Sequence, residues 1–356
     1  MKDKRHNFGV CMKKRESTLD FAKGLLIIFV VLGHSIQYSL GNNWLTSQLF
    51  FDDVVFKTIY SFHMPLFMMI SGYLFFNSNQ KNFKTLVLSK LKVIGAPMLT
   101  FIFLNYLFQY ILMAFRCNVQ YVFVHYFKRI FLGTTMWFLL SLLLNIIVVS
   151  ILTRILRKNT LLYLGMIMIF VISLFIPDSI VLSVHKFMFP FFCLGYILKQ
   201  NEIPLYVFSK KKIVLCFLTI LSVVAVWWFN KETYIYTSGF CVLEGGGKIF
   251  LIDCKRILIA LIVSYTFMQY VYLHAYHRDI IVDKVKRIGQ MSLFIYDMNI
   301  TFNTYLSKLL SLLSINFDFN YLIPIVVTVL FVCICCWLYK LLAKSKVTRI
   351  SFLGKY

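Results

Sequence analysis

Charge is what this chain has least of. Only 14% of its 356 residues are charged, and acidic side chains are the scarcer kind, 14 Asp and Glu against 37 Lys and Arg. A water-soluble domain carries about a quarter of its residues as charges, so a soluble globular enzyme is excluded. The nine cysteines include no Cys-x-x-C pair, and no His/Cys spacing suits a metal. Neither a redox motif nor a metal site is therefore expected. Cys193, Cys333, Cys335 and Cys336 lie in apolar runs, where a small buried hydrophobe is the expected role. Cys117, Cys241 and Cys254 fall in connections expected outside, and a disulfide between two of them stays open. No internal repeat, low-complexity linker or separate soluble domain is readable along the chain.

What is abundant is apolar surface: 60% hydrophobic residues, 18% aromatic, and a mean hydropathy of +0.78. That composition describes a polytopic membrane protein. The net charge of +23 could suggest nucleic acid. The basic residues instead cluster between apolar runs, which is how membrane topology is encoded, so no nucleic-acid partner is expected. The first run follows Lys13-Lys14-Arg15 but is too long for a signal-peptide core and lacks a small-x-small cleavage site, so it reads as an uncleaved span.

A span needs about 20 mostly apolar residues. That criterion predicts an all-α bundle of about ten helices near 19–40, 56–76, 93–113, 135–153, 160–176, 185–199, 213–229, 257–276, 289–311 and 321–340. The segments 160–176 and 185–199 are short and read as tilted or re-entrant around Ile176-Pro177-Asp178-Ser179. Most of the 37 Lys and Arg lie in the amino-terminal segment and in every second connection. Both termini are therefore expected in the cytoplasm. The whole chain, 1–356, reads as one membrane domain with cytoplasmic tails 1–18 and 341–356 and a large outside loop, 230–256.

Two stretches carry chemistry. Lys23 and His34 are 11 residues apart in the first span, which is three helical turns plus about 20°, so they share a face about 16 Å apart. Counted from Leu19, His34 lies roughly 22 Å into a core of about 30 Å. The second span returns from outside, and His63 lies about 8–13 Å below that surface. Both histidines are thus expected at similar depth. Ionisable groups there are functional candidates by default, although a membrane histidine also serves as an interhelical hydrogen-bond partner. Pro65 removes a backbone donor, and a kink or helix start beside His63 is expected.

A third element runs from Gly289 to Tyr296 and on to Asn299 and Asn303. Ser292, Tyr296, Asn299 and Asn303 form a polar stripe, with Asp297 off it and either neutral or paired with a cation. Packing between helices is the bland alternative for the stripe. Trp137-Phe138 reads as an interfacial anchor, Asp20 with Lys23 as a helix-terminus ion pair, and Asp52-Asp53 as a solvated turn.

At Arg15 to Gly24, Val31 to Ser35, Phe62 to Tyr73, Trp137 to Leu139, Phe191 to Tyr196 and Gly289 to Tyr296, the sequence resembles the acyltransferase-3 family of bacterial membrane O-acyltransferases. It is most similar to the compact branch that acetylates surface sugars, including fucose O-acetylase-like proteins. The family's basic residue, ten residues, then histidine is met by Lys23 and His34. Many members end the last motif in a histidine where this chain has Asn299, and the basic pair after the second span is only loosely echoed by Lys90 and Lys92. The resemblance includes no extracellular esterase-like domain.

The resemblance implies a multi-pass protein of the bacterial cytoplasmic membrane. Its donor would be cytoplasmic acetyl-CoA, and its acceptor a sugar hydroxyl on a surface or lipid-linked glycan. Arg15, Lys23, Lys90 and Lys92 would then hold the CoA phosphates. His34 would act as general base, or carry the acyl group, with His63, Asp20, Tyr296 or Asn299 orienting it or stabilising the oxyanion. A flippase for a lipid-linked sugar, or a scaffold for polysaccharide assembly, are the competing readings. A flippase predicts inverted repeats, which are not readable here.

Overall fold

A computed structural model describes residues 2–39, 49–113, 136–205, 212–277, 279–303 and 321–355, with side chains at 17–37, 50–107, 136–179, 182–205, 212–277, 279–302 and 321–355. Every regular element among the described residues is helical, which is the all-α expectation. The longer elements are α1 (Lys2–Ser39), α2 (Val54–Ser78), α3 (Phe83–Lys90), α4 (Ala96–Met113), α5 (Trp137–Ile155), α6 (Asn159–Leu174), α7 (Ile180–Gln200) and α8 (Lys212–Trp228). A single turn, α9 (Ile235–Ser238), precedes α10 (Val242–His274), α11 (Ile280–Gln290), α12 (Ser292–Met298), α13 (Leu322–Leu342) and α14 (Lys346–Leu353). Among the described residues, five segments are long and apolar enough to cross a membrane: Ser17–Gln37, Val54–Ser78, Phe83–Leu107, Trp137–Ile155 and Leu322–Leu342. Two shorter apolar helices are Asn159–Leu174 and Lys212–Trp228.

Glycines set the distances between helices, as expected where no hydrophobic drive separates helix from lipid. α1 and α2 run antiparallel. Gly33 lies against the Tyr60 ring and Ile59, and Phe29 meets Phe62 edge-on at 6.4 Å. α2 and α7 run side by side at backbone contact. A Cβ on Gly72 would stand 2.0 Å from the Phe192 carbonyl oxygen, and one on Gly195 would stand 1.9 Å from that of Met69. α1 meets α11 in the same way through Gly24 and Gly289. One end of this bundle is basic. There Asn79 donates to Thr153 Oγ1 and accepts from Arg154, which also donates to the Lys81 carbonyl.

Several local expectations are corrected. α2 continues unbroken through Pro65, so no helix starts beside His63. Asp53 is buried, at 7% exposure. It caps α2 by accepting from the Phe56 N–H at 2.7 Å and takes a second hydrogen bond from the Tyr321 hydroxyl at 2.5 Å. A charged turn at a helix start reads as solvated until a distant partner covers it. The 230–256 segment is largely helical, because α10 begins at Val242 and only Gly246, at φ +57, leaves helical geometry. The 185–199 segment is the core of α7, which starts at Ile180 with Ser179 as its cap. The expected 289–311 span is broken into α11, α12 and a π-helical turn, Asn299–Asn303; residues 304–311 lie outside the described residues. Cys241 and Cys254 are free thiols, while Cys117 lies outside the described residues.

Candidate active site

The two histidines come together across the α1–α2 contact. Tyr60, one turn before His63 on α2, stands between them. Its ring lies 6.4 Å from that of His34 and 4.9 Å from that of His63, both edge-on. The two imidazoles are within electrostatic reach of one another. His63 is buried at 4% exposure, whereas His34 is half-buried. The antiparallel register sets His34 level with Tyr60 and His63 one turn deeper, a little further apart along the bundle than counting alone suggests.

Hydrogen bonds orient both rings. His63 Nδ1 lies 2.6 Å from the Ile59 carbonyl oxygen. A carbonyl only accepts, so Nδ1 carries the proton and Nε2 presents a lone pair. His34 Nδ1 lies 3.2 Å from Gln37 Oε1, which assigns its tautomer in the same sense. Gln37 is fully buried, and its amide nitrogen has no hydrogen-bond partner among the described residues. A fixed ring with a basic Nε2 is the arrangement general-base chemistry requires. Gln37 and Tyr60 escape a motif search, although each is one turn from a histidine and could have been found by that spacing.

The remaining predicted residues fall into separate groups. Asp20 and Lys23 form an ion pair at 2.7 Å near the basic end, and Asp20 also accepts from Gln290 at 3.2 Å. Asp20 precedes His34 by 14 residues, about 21 Å along α1, so the structure does not bring it to the histidine pair. Lys90 is half-buried and Lys92 exposed, and they flank and enter a π-helical turn, Leu91–Gly95. The side chain of Arg15 lies outside the described residues. Tyr296, Asp297 and Asn299 are all buried. Asp297 has no hydrogen-bond partner among the described residues for either carboxylate oxygen. Tyr296 packs against Phe138 at 5.6 Å, and Phe138 packs against Phe67, so this dipeptide's second ring is a core contact and no interfacial anchor. Among the described residues no group of His, Cys, Asp and Glu is arranged for a metal.

At the end opposite the basic one, a buried charge network fixes the connection before α10. Lys186 Nζ contacts Asp178 Oδ1 at 2.9 Å and donates to the carbonyls of Ile176 and Phe240. Asp178 also accepts from the Phe240 N–H. Arg256 donates to the Gly239 carbonyl at 2.8 Å and to Ser238 Oγ, with Asp253 3.3 Å away. Loss of one member of such a buried pair strands the other without compensation.

Burial pushes the Asp253 carboxyl up to about 7, against the opposing pull of Arg256. A folded-state value above the ordinary one means that ionisation costs the folded state more than the unfolded one. The stability held in this group is fully present below the ordinary carboxylate range and is lost as pH rises through about 7. Asp253→Asn is therefore expected to flatten the fall in thermal midpoint between about pH 5 and about pH 8. An unchanged slope in the variant would remove this account of the network.

The family described as an acyltransferase domain, acyltransferase-3, matches residues 16–341. The chain is 28% identical over 237 residues to the nodulation protein NolL of Mesorhizobium japonicum, covering 63% of this chain and 59% of that protein. It is 55% identical over 60 residues to the nodulation protein NolL of Sinorhizobium fredii, covering 17% of this chain and 16% of that protein. The chain thus spans about six-tenths of the first relative's length and about a sixth of the second's. No solved structure matches.

Proposed function

The chain belongs to the acyltransferase-3 family, whose domain covers residues 16–341, and from that premise we propose that it is a membrane O-acyltransferase moving an acetyl group from cytoplasmic acetyl-CoA to a sugar hydroxyl. The acceptor is a lipid-linked or exported glycan, the membrane is the bacterial cytoplasmic membrane, and the branch proposed is the fucose O-acetylase-like one. About ten spans with both termini inside put the basic end at the cytoplasm.

The observation that carries this reading is the His34–Tyr60–His63 arrangement, with hydrogen bonds to Gln37 Oε1 and the Ile59 carbonyl holding each ring's proton on Nδ1 and its lone pair on Nε2. The basic end receives the CoA phosphates at Arg15, Lys23, Lys90 and Lys92, and the pantetheine arm extends along α1 toward His34. His34 Nε2 removes the acceptor's hydroxyl proton as the oxygen attacks the thioester carbonyl. The tetrahedral intermediate then expels the CoA thiolate, which takes the proton back from the imidazolium. His63 and Tyr60 hold this geometry, and Tyr296 and Asn299 are the donors proposed for the oxyanion. An acetyl-His34 intermediate is the variant of the same scheme.

Membranes containing the chain, supplied with acetyl-labelled acetyl-CoA, are expected to pass label to glycan as an alkali-labile ester. Deletion of the gene is expected to remove that ester from surface glycan while the polymer persists. Loss of the whole polymer with no labelled ester would favour the flippase and end this reading.

A further inference from the structure

The segment Tyr234–Phe240 dips into the bundle at the end opposite the basic one, and its side chains reach both halves of the site. Tyr234 packs against Phe51 at 4.5 Å and Phe229 at 4.6 Å, and lies 6.1 Å from Tyr60, the ring between the two histidines. Tyr236, two residues on, meets Trp137 edge-on at 6.3 Å, and its phenol is within electrostatic reach of that of Tyr296. Beside them, Ser141 Oγ hydrogen-bonds His185 Nδ1 across the α5–α7 contact.

Exposure separates these residues from their neighbours. Tyr234, Phe138, Ser141, Tyr296 and Lys186 are all buried, whereas Trp137, Tyr236 and His185 are each only half-buried. Two aromatic rings and an imidazole therefore remain partly open beside these buried residues. The segment that carries Tyr236 is clamped by Arg256 on Ser238 and Gly239 and by Lys186 and Asp178 on Phe240. That rigidity favours a preformed surface, because holding polar and aromatic groups in place lowers the ordering cost of binding.

We propose that Trp137, Tyr236 and His185 form the acceptor subsite, on which a pyranose ring stacks through its C–H face while His185 and the Tyr236 hydroxyl bond its hydroxyls. This rests on the acyltransferase reading for its role, and places the acceptor's entry at the end of the bundle opposite the donor's. Aromatic rings with a polar tip suit a sugar, which presents an apolar C–H face and a polar rim. Tyr236 is then the specificity-determining residue: its neighbour but one, Tyr234, touches the ring between the histidines, so the sugar's position is referenced to the reacting centre.

The test is binding, read apart from turnover. Wild-type protein in lipid nanodiscs is mixed with methyl α-L-fucoside, methyl β-D-glucoside or glycerol, and saturation transfer to ligand protons is measured by NMR. At least one pyranoside is expected to show transfer strongest at ring C–H protons, with none to glycerol. Tyr236→Phe keeps the ring and is expected to keep most of the signal, whereas Tyr236→Ala and Trp137→Ala lower it at least tenfold with the thermal midpoint retained. Equal transfer from wild type and Tyr236→Ala, or no transfer from wild type to either pyranoside, overturns the subsite. Binding without labelled ester formation in wild type would instead count against the acyltransferase reading alone.

Discussion

His34→Ala is expected to lower acetyl transfer by about 10²–10⁴-fold, the range associated with a positioned general base, with membrane abundance unchanged. The variant removes a half-buried ring that bonds Gln37, three residues on along the same helix, and meets Tyr60 edge-on. Gln37→Ala should cost less, because the imidazole remains and only its orientation is freed. His63→Ala leaves a gap in the buried layer and the Ile59 carbonyl without the ring N–H. It should therefore lower stability as well as rate. Retained transfer in His34→Ala, measured with labelled acetyl-CoA in membranes, would remove the general-base assignment.

The second large effect is structural and reaches the same centre. At Gly195 an added methyl would stand 1.9 Å from the Met69 carbonyl oxygen and 2.9 Å from the Tyr73 nitrogen, both backbone atoms that no rotamer change can move. At Gly72 the Phe192 carbonyl oxygen stands 2.0 Å away. Real contacts need more than 3 Å, so α2 and α7 must separate by about 1 Å or more. In a close-packed interior a change of that kind costs about 3 kcal/mol or more. Gly195→Val should leave little monodisperse protein in detergent. Gly165→Val is the matched control, since the nearest atom there is the mobile tip of Leu156. A wild-type thermal midpoint and elution profile for Gly195→Val would show that α2 and α7 do not meet as described. Because α2 also carries Tyr60 and His63, even partly folded Gly195→Ala should lose transfer in excess of its loss of protein.

How much of this was readable beforehand depends on the range of the interaction involved. The meeting of His34 and His63 follows from a rise of 1.5 Å per residue and two opposed helices, quantities that local sequence supplies. Tyr60 and Gln37 sit one turn from a histidine and follow from the same arithmetic. Asp53 does not, because its burial depends on Tyr321, 268 positions away. Glycine-rich Gly245-Gly246-Gly247 reads as a loop, yet a single residue at φ +57 lets the helix resume on either side of it. Asp178, Lys186, Asp253 and Arg256 each look like surface charges in sequence. Only the folded chain pairs them, and with them the Tyr234–Phe240 segment that brings Trp137 and Tyr236 together. Pro65 is the opposite case: a local rule allows a helix start there, and α2 passes through it.

The most direct test of the reacting centre is where an acyl group rests when the donor is bound. A non-transferable CoA thioether bearing a small diazirine in its acyl position, photolysed on the wild-type protein in nanodiscs, is expected to label peptides containing Leu25–Gln37 and Ile59–Tyr73. Excess acetyl-CoA should suppress that labelling. Labelling confined to the basic end around Lys90 and Lys92, or to faces of α8 turned toward lipid, with none on either histidine-bearing helix, would contradict the account.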